Sequence, residues 1–98
     1  MLPLDQVTPA EFAACLRQPF TLQSGTELVP LTLVEVNTHP GGTGGRPEPF
    51  SLHFQGAAGL RLPQGIYHLE HETMGAMEIF LTQVGAQPHG SFFEAVFN

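Results

Sequence analysis

The chain has no lysine, no tryptophan, a single cysteine and only three arginines, Arg17, Arg46 and Arg61. Each shortage removes a class of function. Without lysine there is no Schiff-base chemistry and no P-loop lysine. Three cations against nine carboxylates, a formal net charge of -6, leave too little positive charge to neutralise nucleic-acid phosphates or to hold an anionic membrane surface. One cysteine excludes an internal disulfide framework. No apolar run approaches the roughly 20 residues of a membrane helix. The start, MLPLDQ, lacks the basic and apolar regions of a signal peptide, so the expected location is cytoplasmic.

What is present describes a small, turn-rich β domain. Ninety-eight residues make one domain, residues 1–98, and 42% hydrophobic residues with eight Phe can fill one modest core. Eleven Gly and nine Pro interrupt the chain often, which favours short strands over long helices.

The one strong helix signal is Thr8-Pro9-Ala10-Glu11. Thr8 suits the N-cap, Pro9 the first helical position, and Glu11 completes a capping box. The spacing predicts a helix over residues 9–18, ending before Pro19, with Phe12 and Leu16 on its apolar face. A helix of about ten residues needs a surface to dock on.

Strands follow. Residues 19–23 place Phe20 and Leu22 on one face. In Glu27–Thr38 the pair Leu31 and Leu33 is out of phase with Val34 and Val36, and Pro30 cannot donate to a ladder. This implies a bulge, or a strand covered on both sides, with an edge position near Pro30. Residues 39–49, HPGGTGGRPEP, read as a loop; Pro47 and Pro49 oppose the helix that a phosphate-binding glycine loop requires. Residues 50–55 alternate, with Phe50, Leu52 and Phe54 inward.

Residues 62–84, LPQGIYHLEHETMGAMEIFLTQV, form the central hairpin. Tyr67 and Leu69 face Met77, Ile79 and Leu81, and the turn uses Gly75. Phe80 falls on the polar side, where the helix is expected to cover it. The last strand puts Phe93, Ala95 and Phe97 on one face and Phe92, Glu94 and Val96 on the other. The predicted fold is mainly β: a small antiparallel barrel-like or curled sheet of about six strands with one short N-terminal helix. Closure also removes the exposed edges of strands this apolar.

Candidate chemistry is sparse. Of His39, His53, His68, His71 and His89, the densest group is HLEHE. On a strand, His68 and Glu70 share a face while His71 points the other way. His53 is the one further residue within reach from a neighbouring strand, zinc needs three or four converging ligands, and these side chains read as exposed polar residues on the outer face of a sheet rather than as a metal site. Cys15 has no sequence signature supplying a histidine partner and reads as a packed thiol. No nucleophile elbow surrounds Ser24, Ser51 or Ser91. Glu94, in an apolar strand, is either a hydrogen-bonded structural carboxylate or a surface one, with Arg17, Arg46 and Arg61 the only permanent cations that can pair with it. No residue is assigned as catalytic, cofactor-binding or metal-binding.

The segments PFSLHF, LPQGIYHLEH, MGAMEIFL and FEAVFN resemble those of a family of small bacterial domains of unknown function. The resemblance covers residues 49–98 well and the N-terminal half loosely. It implies no catalytic residue, cofactor or metal. Genes of that family can lie beside those for phage-tail-collar-like proteins. Members commonly carry Tyr where this chain has Phe93, so that hydroxyl has no role here.

Together these observations favour a non-enzymatic interaction or structural module binding an unknown protein partner, with self-association left open. Its more specific form is an accessory of a phage-tail-like or surface assembly. The rival is a small-ligand or metal-binding domain, enzymatic in its strongest form, using outward-facing His and Glu on the sheet.

Overall fold

The computed structural model describes residues 3–4, 6–39 and 49–98. The helix α1 (Pro9–Ala13) is followed by six strands: β1 (Pro19–Ser24), β2 (Glu27–Thr38), β3 (Phe50–Gly56), β4 (Gly65–His71), β5 (Gly75–Gln87) and β6 (Gly90–Phe97). They close into an antiparallel barrel in the order β1-β2-β3-β6-β5-β4. Two three-stranded meanders, β1-β2-β3 and β4-β5-β6, are joined along β3–β6 and along β1–β4.

Alternation dictates what fills the barrel. Phe20 and Leu22, Leu31 and Leu33, Phe50, Leu52 and Phe54, Leu69, Met77, Ile79 and Leu81, and Phe93 and Ala95 are all buried. Each of these side chains other than Ala95 contributes roughly 1.5–3 kcal/mol through removal from water. The hairpin β4–β5 pairs His71 with Gly75, whose φ of 87° suits glycine. At Gly56, an added Cβ would lie 2.7 Å from Leu60 and 2.9 Å from Leu31, so glycine lets the chain leave β3 close to the core. The β3–β4 connection then crosses the barrel end. It is held there by Ser91 Oγ and Gln83 Nε2 donating to the Leu60 carbonyl, and by the Leu62 N–H donating to Gln83 Oε1.

The opposite end is plugged by α1. Its capping box is formed: Thr8 Oγ1 accepts from the Glu11 N–H, and Glu11 accepts from the Thr8 N–H. Phe12, fully buried, meets Phe20, Phe50 and Phe97 at ring-centroid distances of 5.8–6.4 Å.

Three expectations need correction. The helix ends at Ala13 rather than Gln18, and residues 14–17 are turns, with the Cys15, Leu16 and Gln18 N–H groups donating to the carbonyls of Phe12, Ala13 and Cys15, three residues back. The cause is competition from β2: the Arg17 N–H donates to the Leu33 carbonyl at 2.7 Å, and the Leu33 N–H to the Gln18 carbonyl at 3.3 Å. Leu16 therefore does not follow Phe12 on a helical face and is 40% exposed, while Cys15 is buried. Phe80 is not covered by the helix and remains 53% exposed.

The phase shift in β2 is a bulge between Leu33 and Glu35, with Val34 as the extra residue against β3. Before Thr32, β2 pairs with β1 alone, so Pro30 occupies a stretch with one neighbour. Of the glycine-rich loop expected over residues 39–49, residues 40–48, with Arg46, lie outside the described residues. Its two ends are tied by the His39 N–H donating to the Pro49 carbonyl. No helix among the described residues is long and apolar enough to cross a membrane.

Candidate functional site

Three groups of side chains carry chemistry. The first lies on the outer wall. His53, on β3, stands between its cross-strand neighbours Glu35 on β2 and Glu94 on β6. Its Nδ1 is 2.8 Å from Glu35 and its Nε2 is 2.9 Å from Glu94. Burial is the largest single influence on the ring and disfavours its charge. The hydrogen bonds and charges of Glu35 and Glu94 together outweigh it, and the His53 pKa is raised above 6.5. The His53 hydrogen bond likewise holds Glu35 below the usual carboxylate range.

His68, on β4, forms a similar group. Glu70 is 2.9 Å from Nε2 and Glu78, directly across on β5, 3.6 Å from Nδ1. The Glu70 hydrogen bond is the main cause of a raised His68 pKa. Each group holds two carboxylates for one imidazole, so each keeps at least one net negative charge whichever state the ring takes.

The two groups do not meet. In the closed strand order β3 and β4 are opposite one another, so His53 does not converge with His68 and Glu70. Within each group the two ring nitrogens face different carboxylates. Among the described residues, no three His, Cys, Asp or Glu side chains are placed to hold a metal ion. Glu94 takes His53 as its partner, not an arginine.

The second group is at the plugged end. His71 is only 6% exposed. Its Nδ1 accepts the N–H groups of Thr73 and Met74, both at 3.1 Å, so its proton sits on Nε2 and is donated to Gln18 Oε1 at 2.7 Å. Cys15 Sγ lies 4.0 Å from the same Nδ1. Fifty-six positions separate the two residues, and no local pattern announces the pair. The arrangement resembles a thiol and its base without the function of one. The Nδ1 lone pair is already engaged by two backbone donors. Burial pushes the Cys15 thiol up, with a Thr73 hydrogen bond acting weakly the other way, and the thiol reaches back to the Glu11 carbonyl at 3.6 Å. His71 also packs on Phe20 at 4.6 Å between ring centroids. This is a buried polar buttress under the β4–β5 turn. His39 is likewise structural, bonded to the hydroxyl of buried Ser51, and His89 lies against Phe92.

The third group is apolar and exposed. Ile66 is 71%, Phe80 53% and Val96 55% exposed. Ile66 and Phe80 are directly paired between β4 and β5. Phe80 and Val96 line a cavity of about 280 Å³ with Leu4, Ile79, Ala95 and Phe97. The β5–β6 ladder begins only at Thr82–Glu94, and the cavity occupies the gap beyond that point. Alternation puts Glu78 on the same outer face as Phe80, and Glu94 on the same face as Val96. Because β5 and β6 run antiparallel, these acids flank the apolar row on its two opposite sides. Alternation places Phe80 on the polar side of β5 without a cover, and its pairing with outward Ile66 across the β4–β5 hairpin is the signal that it belongs to a row.

A family model described as a domain of unknown function (DUF6916) matches residues 7–97, nearly the whole chain, and the chain belongs to that family. No curated protein and no solved structure matches it.

Proposed function

We propose that this DUF6916 domain is a non-enzymatic interaction module that docks a protein partner on the outer face of β4, β5 and β6. The observation that carries the reading is the Ile66–Phe80–Val96 row opening onto the 280 Å³ cavity. An exposed aromatic beside a cavity that can accept an apolar anchor is the usual form of an interface centre. Glu78 and Glu94 at the sides of the row, on a chain of net charge -6, select a partner with an apolar centre and a basic rim. The same acids oppose a second copy, whose own carboxylates would face them. The absence of an activated nucleophile in the Cys15–His71 pair supports a binding role over a catalytic one.

The more specific form of this reading is an accessory of a phage-tail-like or surface assembly put together in the cytoplasm. Its support is the gene association carried by the family resemblance of residues 49–98.

The test compares the wild-type domain with the double variant Ile66→Ser, Phe80→Ser in affinity capture from the native host. A partner retained by the wild type, lost by the folded double variant and released by raised salt is the expected result. Equal capture by both proteins, or capture of no protein, would count against the reading. A concentration-dependent dimer abolished by the same changes would replace it with self-association.

A further inference from the structure

Arg17 is the only non-glycine residue with positive φ among the described residues, at 69°. Its backbone is fixed there by the hydrogen bonds that Arg17 and Gln18 exchange with Leu33. Glycine or asparagine is the ordinary occupant of such a position after a helix, because a Cβ is disfavoured in the left-handed region. The backbone role alone would be served better by glycine. What the arginine adds is its guanidinium.

That side chain lines a shallow cavity of about 390 Å³ outside the barrel, with Pro30, Thr32, Val34, Gln55, Gly56 and Ala57. Val34 is the bulged residue of β2 and continues the outward row of Pro30 and Thr32 along the cavity wall, opposite buried Leu31 and Leu33. The chain has nine carboxylates, yet none among the described residues forms an ion pair with Arg17. The cavity thus combines apolar surface from Pro30, Val34 and Ala57 with the polar side chains of Thr32 and Gln55 and a cation that has no ion-pair partner among the described residues.

We propose that this cavity binds a carboxylate attached to a small apolar body. A planar guanidinium matches a carboxylate in a two-point hydrogen bond, and Pro30, Val34 and Ala57 give the apolar portion a surface. A single arginine balances one negative charge. A phosphate, with close to two, would face the protein's own net charge of -6 with half its charge unbalanced. The carboxylate belongs either to a free small acid or to the C-terminus of a peptide. This site is separate from the β4–β5–β6 face and stands or falls independently of it.

The test is a titration of the isotope-labelled full chain by NMR. The probes are isobutyrate, inorganic phosphate, and a short peptide ending in valine with a free or an amidated C-terminus. Saturable shifts at Thr32, Val34 and Gly56 are expected with isobutyrate or the free-acid peptide, and whichever binds more tightly identifies the source. Arg17→Gly should stay folded, with a melting temperature equal to or above the wild type, and weaken binding by at least about tenfold. No saturable shift with either carboxylate would overturn the proposal. So would equal binding by Arg17→Gly, or equal binding of phosphate or of the amidated peptide.

Discussion

At the plugged end of the barrel, His71 is buried, accepts two backbone N–H groups at one nitrogen and donates from the other to Gln18. On the outer wall, His53 sits in partial contact with water between two carboxylates. The residue type is the same and the partners differ in kind. His71 is surrounded by neutral groups that fix a single tautomer, and its role is to satisfy backbone donors that the tight β4–β5 turn leaves without a ladder partner. His53 is surrounded by charge, and its role is to separate two acids that would otherwise repel across neighbouring strands. The wall is also where the apolar row is exposed, whereas the aromatics that meet Phe12 at the plugged end, Phe20, Phe50 and Phe97, are buried. The plugged end is therefore built for burial, and the surface features open to a partner lie on the wall.

The strongest way to break this contrast is to remove the plug. Phe12→Ala should cost about 3–5 kcal/mol, because the ring fills the space among Phe20, Phe50 and Phe97 and the barrel end cannot collapse onto the void. Urea denaturation measures it. A loss no larger than that of an exposed substitution would mean that α1 is an ornament and the barrel closes without it.

A smaller effect separates the two histidines directly. His71→Ala should destabilise by about 1–3 kcal/mol, since the Thr73 and Met74 N–H groups lose their acceptor in a buried setting. His53→Ala should cost no more than about 1 kcal/mol, the scale of partly exposed ion pairs. Equal costs for the two variants would remove the distinction between plug and wall.

The smallest effect is in pH dependence. The folded-state pKa of His53 is raised above 6.5, so its stabilising contribution is complete below 6.5 and is lost as pH rises through the folded value. Glu35 is lowered from 4.5, so its contribution is present above 4.5 and is lost as pH falls through the lowered value. The stability difference between wild type and His53→Gln should thus be greatest in mildly acidic solution, between these two limits, and shrink as the solution becomes alkaline. A difference that grows with rising pH would mean that the ring is held neutral in the folded protein.

Much of the fold was legible because the barrel obeys a period of two with few exceptions. Phe50, Leu52 and Phe54, or Phe93, Ala95 and Phe97, announce an inward face directly, and Gly75 and the bulge in β2 announce their backbone. The helix length was misread because Cys15, Leu16 and Arg17 have adequate helical propensity, and nothing local reveals that Leu33, sixteen residues further on, claims the Arg17 N–H. Phe80 was misplaced for a related reason: an outward aromatic on a strand looks like a packing error until its neighbours Ile66 and Val96 are known to be exposed as well. The meeting of Cys15 with His71, and of His53 with Glu35 and Glu94, depends on strand order, which periodicity does not encode.

The ring of strands has one short join. β1 and β4 share three residue pairs, Thr21–Glu70, Leu22–Leu69 and Gln23–His68, against seven between β4 and β5. This join also links residues nearly fifty positions apart, so forming it closes a long chain loop for few hydrogen bonds. In kinetic terms it is the last ladder to gain from assembly and the first to open. Amide hydrogens of Thr21, Gln23, His68 and Glu70, which alternation directs across this join, should exchange through a partial opening that leaves both meanders intact, well before those of β3 and β6 exchange by global unfolding.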